Sequence, residues 1–544
     1  MKKKIFILSV VCTILVLNSC EKQTVIEVTP NSIANDELKT PQQIDEFMAM
    51  QSQKNDGVFN WNIASDEMIW SALKHSENIL TVGYKTATIT NAEDKLSTIN
   101  IKNIEWTEAR NKILNIVLEE ERKYNKKIKT VEDIILYPEN TLPNFDLYVS
   151  NLATIKKLRQ SGLIRYMEPV AYLPESASKS NASRVTSLGC GSQNTNTVGL
   201  VAGKDYFTST AYPNGKISWN FPIHGIPTAW DRGATGVGLK MAYFDTGCSF
   251  EQPYMNSFFA SYESTGRSIE KTLTLSGSGE TANDPCGHGT ATSSVGTAPR
   301  TTYGTPGIAY RASVITVRAA ADVVFTSARE FNGVASAYEL IANRPDVRVI
   351  SMSMGTSPIP FTIVGSLVGA VYYTIYRNKI ADAIKLAYQK DKLMFCAAGT
   401  LNADLLQNTV IFPANMSEVI AVTGVKMIAN STGGSVPLSN YTNPTICSEC
   451  FYGSKVDFAV VMQKDGIATR PLSLTRTTNS EPTTFGGSSV ATASMSAMAT
   501  ALWSKYPGLT RTQLVERLRI NATHGYNRRS DIGWGLVDMD KATR

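Results

Sequence analysis

The stretch EPTTFGGSSVATASMSAMATALW, residues 481–503, decides the fold. After Gly486 and Gly487 it is filled with alanine, serine, threonine and methionine on every helical face. A helix without a polar face cannot lie on a surface, so the pattern predicts a central helix buried on all sides. Such a helix needs layers of structure around it. Ser488 and Ser489 stand at its expected start, and Ser494 and Ser496 follow within it. A serine at a helix N-terminus is commonly a cap. The same place also stabilises negative charge, because the first backbone N–H groups of a helix have no partner within it. Taken alone, Ser489 reads more readily as a cap than as a nucleophile.

The surrounding layers are legible upstream. The runs GLKMAYFD (238–245), SVITVRAA (313–320), VRVISMSMG (347–355), KLMFCAAG (392–399) and VIAVTGV (419–425) are nearly continuous apolar segments. That is the pattern of strands buried on both faces. Mixed charged and apolar stretches such as YRNKIADAIKLAYQKDK (376–392) lie between them and predict helices. Strands alternating with helices imply an α/β fold with a central parallel sheet. Ligands bind such sheets at the carboxyl ends of the strands.

Two further residues stand out, the first at such an end. Asp245 closes the run ending AYFD, before Thr246 and Gly247. Alone it reads as a turn or cap residue. His288 lies in DPCGHGTATSSVGTA (284–298), with a glycine on each side that leaves the imidazole unobstructed. The other histidines, His75, His224 and His524, have no such setting.

In the order Asp, His, Ser, these residues resemble the triad of the subtilisin-like serine proteases. The segments CGHGTATSSVGTA, TPGIAYRASVITVR, VISMSMG, FPANMSEVIAVTGV, GGSSVATASMSA and GWGLVDMDKA are similar to that family's motifs and keep their order. The resemblance covers about residues 215–544. It implies a three-layer subtilisin-like fold, with Asp245 orienting His288, His288 as general base and Ser489 as nucleophile. It also implies that Ser353, Met354 and Gly355 pair with extended substrate and that Ala397, Ala398 and Gly399 wall the pocket. Two positions depart from the family. Ala493 stands where the family has proline, and Thr400 where it has the asparagine whose amide donates to the oxyanion. The Thr400 hydroxyl, or Asn402 two residues on, is the expected substitute.

The resemblance extends weakly to the N-terminal region. The segment ATIKKLRQSGLIRYMEPVAYLP (153–174) is similar to the end of the family's inhibitor propeptide, which implies that the chain's own N-terminal part acts as folding template and inhibitor. Residues 79–89, 145–150 and 163–173 read as strands and 105–124 as an amphipathic helix, a small α+β domain. The first twenty residues, MKKKIFILSVVCTILVLNSC, have three lysines before a short apolar run. They read as an export signal, with Cys20 the lipidated residue of a lipoprotein. The expected organisation is a signal at 1–20, a tether and propeptide-like domain at 21–185, a linker at 186–214 and a catalytic domain at 215–544. No other apolar run is long enough to cross a membrane.

Six cysteines lie beyond Cys20. The triad, once formed, brings the turns of Cys248 and Cys286 together and so suggests a bridge between them, with two buried thiols as the alternative. Cys447 and Cys450 read as a local bridge or two free thiols. A zinc site is disfavoured because there is no second CxxC. No cofactor is expected, and no oxygen-rich calcium loop is apparent. The charged fraction is 18% and the net charge +6, without an arginine stripe, which excludes nucleic acid as an implied partner. The expected function is a membrane-anchored, exported serine endopeptidase acting on protein or peptide substrates. The alternatives are a non-catalytic binder of extended peptides and a peptide ligase on the same triad.

Overall fold

The computed structural model describes residues 37–175, 190, 199–209, 214–361, 371–400, 408–426, 444–464 and 470–544. Cys20, the export signal and Asn402 lie outside these residues.

The N-terminal domain begins with α1 (Pro41–Gln53), capped by Thr40, and the short strand β1 (Val58–Phe59). Helix α2 (Asp66–Lys74) follows. Strand β2 (Ile79–Tyr84), helix α3 (Ile104–Tyr124), strands β3 (Ile135–Tyr137) and β4 (Asn144–Tyr148), helix α4 (Leu152–Gln160) and strand β5 (Ile164–Pro169) complete it. The strands form an antiparallel sheet in the order β3-β4-β2-β5. Strand β2 is shorter than the expected 79–89. Its partner β4 begins at Asn144, opposite Gly83, and a register shift separates Gly83 from Tyr84 along β5.

A hairpin of β6 (Tyr206–Thr208) and β7 (Lys216–Ser218) and the short helix α5 (Ile226–Asp231) lead into the central sheet. Its strands are β8 (Lys240–Asp245), β9 (Ile269–Leu273), β10 (Ser313–Arg318) and β11 (Val347–Met352), then, after the hairpin β12 (Ile359–Phe361) and β13 (Val371–Ile375), β14 (Leu393–Ala397), β15 (Ile420–Lys426), β16 (Thr445–Ile446) and β17 (Phe458–Gln463). The order is β16-β15-β14-β11-β8-β10-β9, with β17 also on β15, and every pairing is parallel except β15 with β16. Alternate residues of β8 divide the core. Met241 and Tyr243 face α6 (His288–Thr297) and the buried helix α9 (Gly487–Lys505), while Ala242 and Phe244 face α7 (Ala328–Ala342) and α8 (Asn378–Gln389). The result is the expected three-layer α/β architecture.

Register sets the site. Phe244 pairs with Met352, and Met352 with Cys396, so the residues just beyond β8, β11 and β14 lie side by side. Asp245, Ser353 and the turn 398–400 therefore share one edge, at the carboxyl ends of the strands.

The N-terminal domain is joined to this unit by more than packing, and Leu38–Arg544 form one compact body. Strand β1 adds in parallel to β13, pairing Val58 with Thr374 and Phe59 with Ile375. Ile359, Tyr373 and Ile375 enter the core of the N-terminal domain. Glu168 pairs with Arg377 at 2.7 Å, with side chains only 1% and 2% exposed, and accepts from Asn378 N–H at 3.0 Å at the start of α8. Asp146 pairs with Lys379 at 2.9 Å, and Arg165 with Asp382 at 2.8 Å.

The expected bridge between Cys248 and Cys286 does not form. Cys286 is bonded to Cys190 of the linker, and Cys447 to Cys450. The Cys248 thiol is buried near Ser293 of α6 and Lys271, burial pushes its pKa up to about 11, and it remains free, as does Cys396.

Candidate active site

Asp245 ends β8 and is buried with both oxygens engaged. Oδ1 accepts from His288 Nδ1 at 2.7 Å and from Thr246 N–H at 2.8 Å, and Oδ2 accepts from Thr292 Oγ1 at 3.1 Å. His288 opens α6, where Gly287 takes a left-handed conformation at φ 89°. Gly289 must be glycine. A Cβ there would stand 2.2 Å from Gly247 O and 3.1 Å from Asp245 Cβ. The missing side chain lets the Asp245 turn and the His288 helix meet.

A carboxylate to which the sequence reading gave no role holds the two turns together. Asp284 Oδ1 accepts from Thr246 Oγ1 at 2.8 Å and Gly287 N–H at 2.8 Å, and Oδ2 accepts from Thr290 N–H and Oγ1 at 2.7 Å each. Its signal was the Asp-Pro start of the histidine motif, the kind of residue that organises a turn. The Cys190–Cys286 bridge fastens the same turn from outside.

Burial works against a charged His288. The Asp245 carboxylate, its hydrogen bond and the more distant Asp284 outweigh this and hold the imidazole above the ordinary histidine range. Phe485 meets the imidazole edge-on, with centroids 5.3 Å apart.

Ser489 lies in the first turn of α9, 9% exposed, and its N–H has no acceptor within the helix. Its hydroxyl donates to Ser353 O at 3.4 Å, and Ser353 Oγ donates to Ser489 O at 2.9 Å. His288 and Ser489 line one cleft of about 290 Å³ but are not hydrogen-bonded to each other.

The remaining expected residues divide. Ser353, Met354, Gly355, Ala397, Gly399 and Thr400 line the cleft. Ala398 is buried in the core behind it. The edge expected to pair with substrate is partly occupied within the chain. Gly355 N–H donates to Val323 O at 3.0 Å, and Gly355 O accepts from Phe325 N–H at 3.3 Å. The cleft also holds Glu449, carried by the Cys447–Cys450 loop, paired with Arg470 at 2.8 Å. Among the described residues there is no cluster of three or more histidine, cysteine or carboxylate side chains able to hold a metal ion. No helix of the described residues is long and apolar enough to cross a membrane.

The model of the subtilase family matches residues 236–535. The chain is 26% identical over 330 residues to the minor extracellular protease Epr of Bacillus subtilis (strain 168), covering 59% of this chain and 40% of that protein. It is 27% identical over 205 residues to the major intracellular serine protease of the same strain, covering 37% and 55%. The match thus spans about half the length of these relatives. Among solved structures, MycP1 from Mycobacterium smegmatis aligns with a TM-score of 0.44 and 19% identity, over 65% of this chain and 90% of that one. MycP3 from a type VII (ESX-3) secretion system aligns with a TM-score of 0.44 and 19% identity, over 65% and 96%.

Proposed function

Because this chain belongs to the subtilase family, we propose that it is a serine endopeptidase with Asp245, His288 and Ser489 as its triad. One observation carries the reading. A buried Asp–His pair at 2.7 Å faces the same cleft as a serine at the N-terminus of a buried helix.

In this reading His288, held as the Nδ1–H tautomer by Asp245, presents Nε2 to the Ser489 hydroxyl once that side chain leaves Ser353 O. The imidazole takes the hydroxyl proton as Oγ attacks the scissile carbonyl, and the imidazolium is stabilised by Asp245. The proton then passes to the leaving amine, and water hydrolyses the acyl-enzyme. The Ser489 N–H and the Thr400 side chain stabilise the oxyanion. Val323, Met354 and Ile411 give the cleft an apolar wall, which fits a substrate with an apolar side chain beside the scissile bond. Pairing of extended substrate along Gly355 requires Val323 and Phe325 to release it.

The reading extends to an exported lipoprotein anchored through Cys20, made with its N-terminal domain as template and inhibitor. Parallel sheets pair distant segments and nucleate slowly, so a docked template is physically useful. Release of that domain would separate the buried Glu168–Arg377 pair, which opposes dissociation after cleavage.

Comparing the wild-type chain with Ser489→Ala tests the core claim. A fluorophosphonate should label the wild type and not the variant, and peptide hydrolysis should fall by on the order of 10⁶. Labelling that survives in Ser489→Ala would remove Ser489 as nucleophile. A wild type that neither labels nor hydrolyses would favour the second reading, a peptide-binding protein, for which the Ser489–Ser353 hydrogen bond is the supporting observation.

A further inference from the structure

We infer that Ser488, the residue before the nucleophile, is a positioning residue that aims the Thr400 hydroxyl proton into the cleft as an oxyanion donor. The inference rests on the serine-protease reading above and explains how a threonine can serve where the amide is missing.

The argument is a count of protons and lone pairs. A hydroxyl donates one hydrogen bond and accepts two. Thr400 Oγ1 accepts from Ser488 N–H at 3.0 Å and lies 2.7 Å from Ser488 Oγ. Ser488 Oγ accepts from Gly399 N–H at 3.2 Å. Two arrangements of the hydroxyl protons satisfy these contacts.

In the first, Thr400 donates to Ser488. The Ser488 proton must then find another acceptor. Ser488 is 1% exposed, and among the described residues no other acceptor is hydrogen-bonded to its hydroxyl. A buried donor without a partner is unfavourable.

In the second, Ser488 donates to Thr400. Both Thr400 lone pairs are then filled, by Ser488 N–H and Ser488 Oγ–H. The Thr400 proton is the one left over, and Thr400 lines the cleft with His288 and Ser489. Every buried group is satisfied and the free proton faces substrate. The second arrangement is therefore the stable one.

The backbone supports it. Gly487 adopts φ +78°, and a Cβ there would stand 3.0 Å from Thr400 Oγ1 and 3.1 Å from its Cγ2. Glycine thus lets the threonine sit against the first turn of α9. A valine at 400 would keep the shape and lose the donor. A serine-to-alanine change at 488 would keep the donor but free its rotor.

A double-mutant cycle tests this on the full chain, reading kcat and KM on a peptide substrate, with melting temperatures as the folding check. Thr400→Val should lower kcat about 10²-fold with little change in KM. Ser488→Ala should lower kcat about tenfold, the worth of one oriented hydrogen bond. Ser488→Thr, which keeps the hydroxyl, should recover most of that loss. In a Thr400→Val background Ser488→Ala should cost less than about twofold, since no rotor remains to aim. Should Ser488→Ala cost the same factor in both backgrounds, Ser488 acts otherwise and the inference fails. Absence of fluorophosphonate labelling in the wild type would instead overturn the protease reading, and this inference with it.

Discussion

The two halves of the site are built from different materials. The Asp245–His288 half is fixed by buried carboxylates, backbone N–H groups and a disulfide. Asp245 takes three donors, Asp284 joins the two turns, and Cys190–Cys286 closes over them. The Ser489–Thr400 half rests on hydroxyls. Ser489 Oγ donates to Ser353 O at 3.4 Å, and the Ser488 and Thr400 hydroxyls lie 2.7 Å apart. Carboxylates fixed by backbone donors give one geometry. Hydroxyl rotors give several, and their choice is set by which lone pairs are already filled. In the proposed protease the first half is set by the fold, and the second depends on where the hydroxyl protons point.

Among changes that leave the nucleophile in place, the largest effect should come from spoiling the rigid half while keeping its shape. Asp245→Asn retains the volume and the Thr246 contact but no longer favours the Nδ1–H tautomer of His288. Steady-state kinetics should show kcat lower by about 10⁴, with the fold intact by circular dichroism. A loss below tenfold would mean that His288 is not oriented by Asp245 during turnover, and the contrast between the halves would collapse.

Opening the bridge should have a smaller effect, on stability first. The Cys190→Ala, Cys286→Ala double variant releases a loop spanning a sequence separation of 96. Urea unfolding should show a loss of about 2–4 kcal/mol. The local bridge of Cys447 and Cys450, separated by three residues, closes almost no loop, so its removal should change stability far less. Equal losses from the two bridges would show that chain entropy is not what the long one supplies.

What the sequence could reveal follows the same division. His288 stands out because glycines flank it, Asp245 because it ends an apolar run before Thr246 and Gly247, and Ser489 because it follows two glycines at the start of a small-residue helix, and Gly289 shows why small residues are needed. The strands are legible because burial on both faces leaves no polar alternation. The partner of Cys286 was not legible. Cys248 and Cys286 lie on turns that the triad joins, but a bridge also depends on what each thiol meets, and Cys248 is buried beside Lys271 and Ser293 while Cys286 is bonded to Cys190. The roles of Asp284 and Ser488 lie in hydrogen bonds that no spacing encodes. The β1–β13 pairing escaped notice because two residues carry no periodicity.

The smallest effect lies along the pH axis and joins the two halves. His288 must be neutral to accept the Ser489 proton, and its pKa is raised. The acid limb of kcat/KM should therefore have its midpoint above the ordinary value of about 6.5. Asp284 contributes to the raised pKa through its charge without touching the reacting atoms. Asp284→Asn should shift the limb toward lower pH while leaving a measurable plateau. The sign for stability is the reverse. A raised folded pKa means that the Asp245–His288 pair contributes fully below the unfolded pKa and loses that contribution as pH rises through the folded value. The site is thus most firmly held where it is least active. An acid limb that stays in place in Asp284→Asn would show that the carboxylate only organises the turn, and would leave the raised pKa to Asp245 and the more distant Asp322.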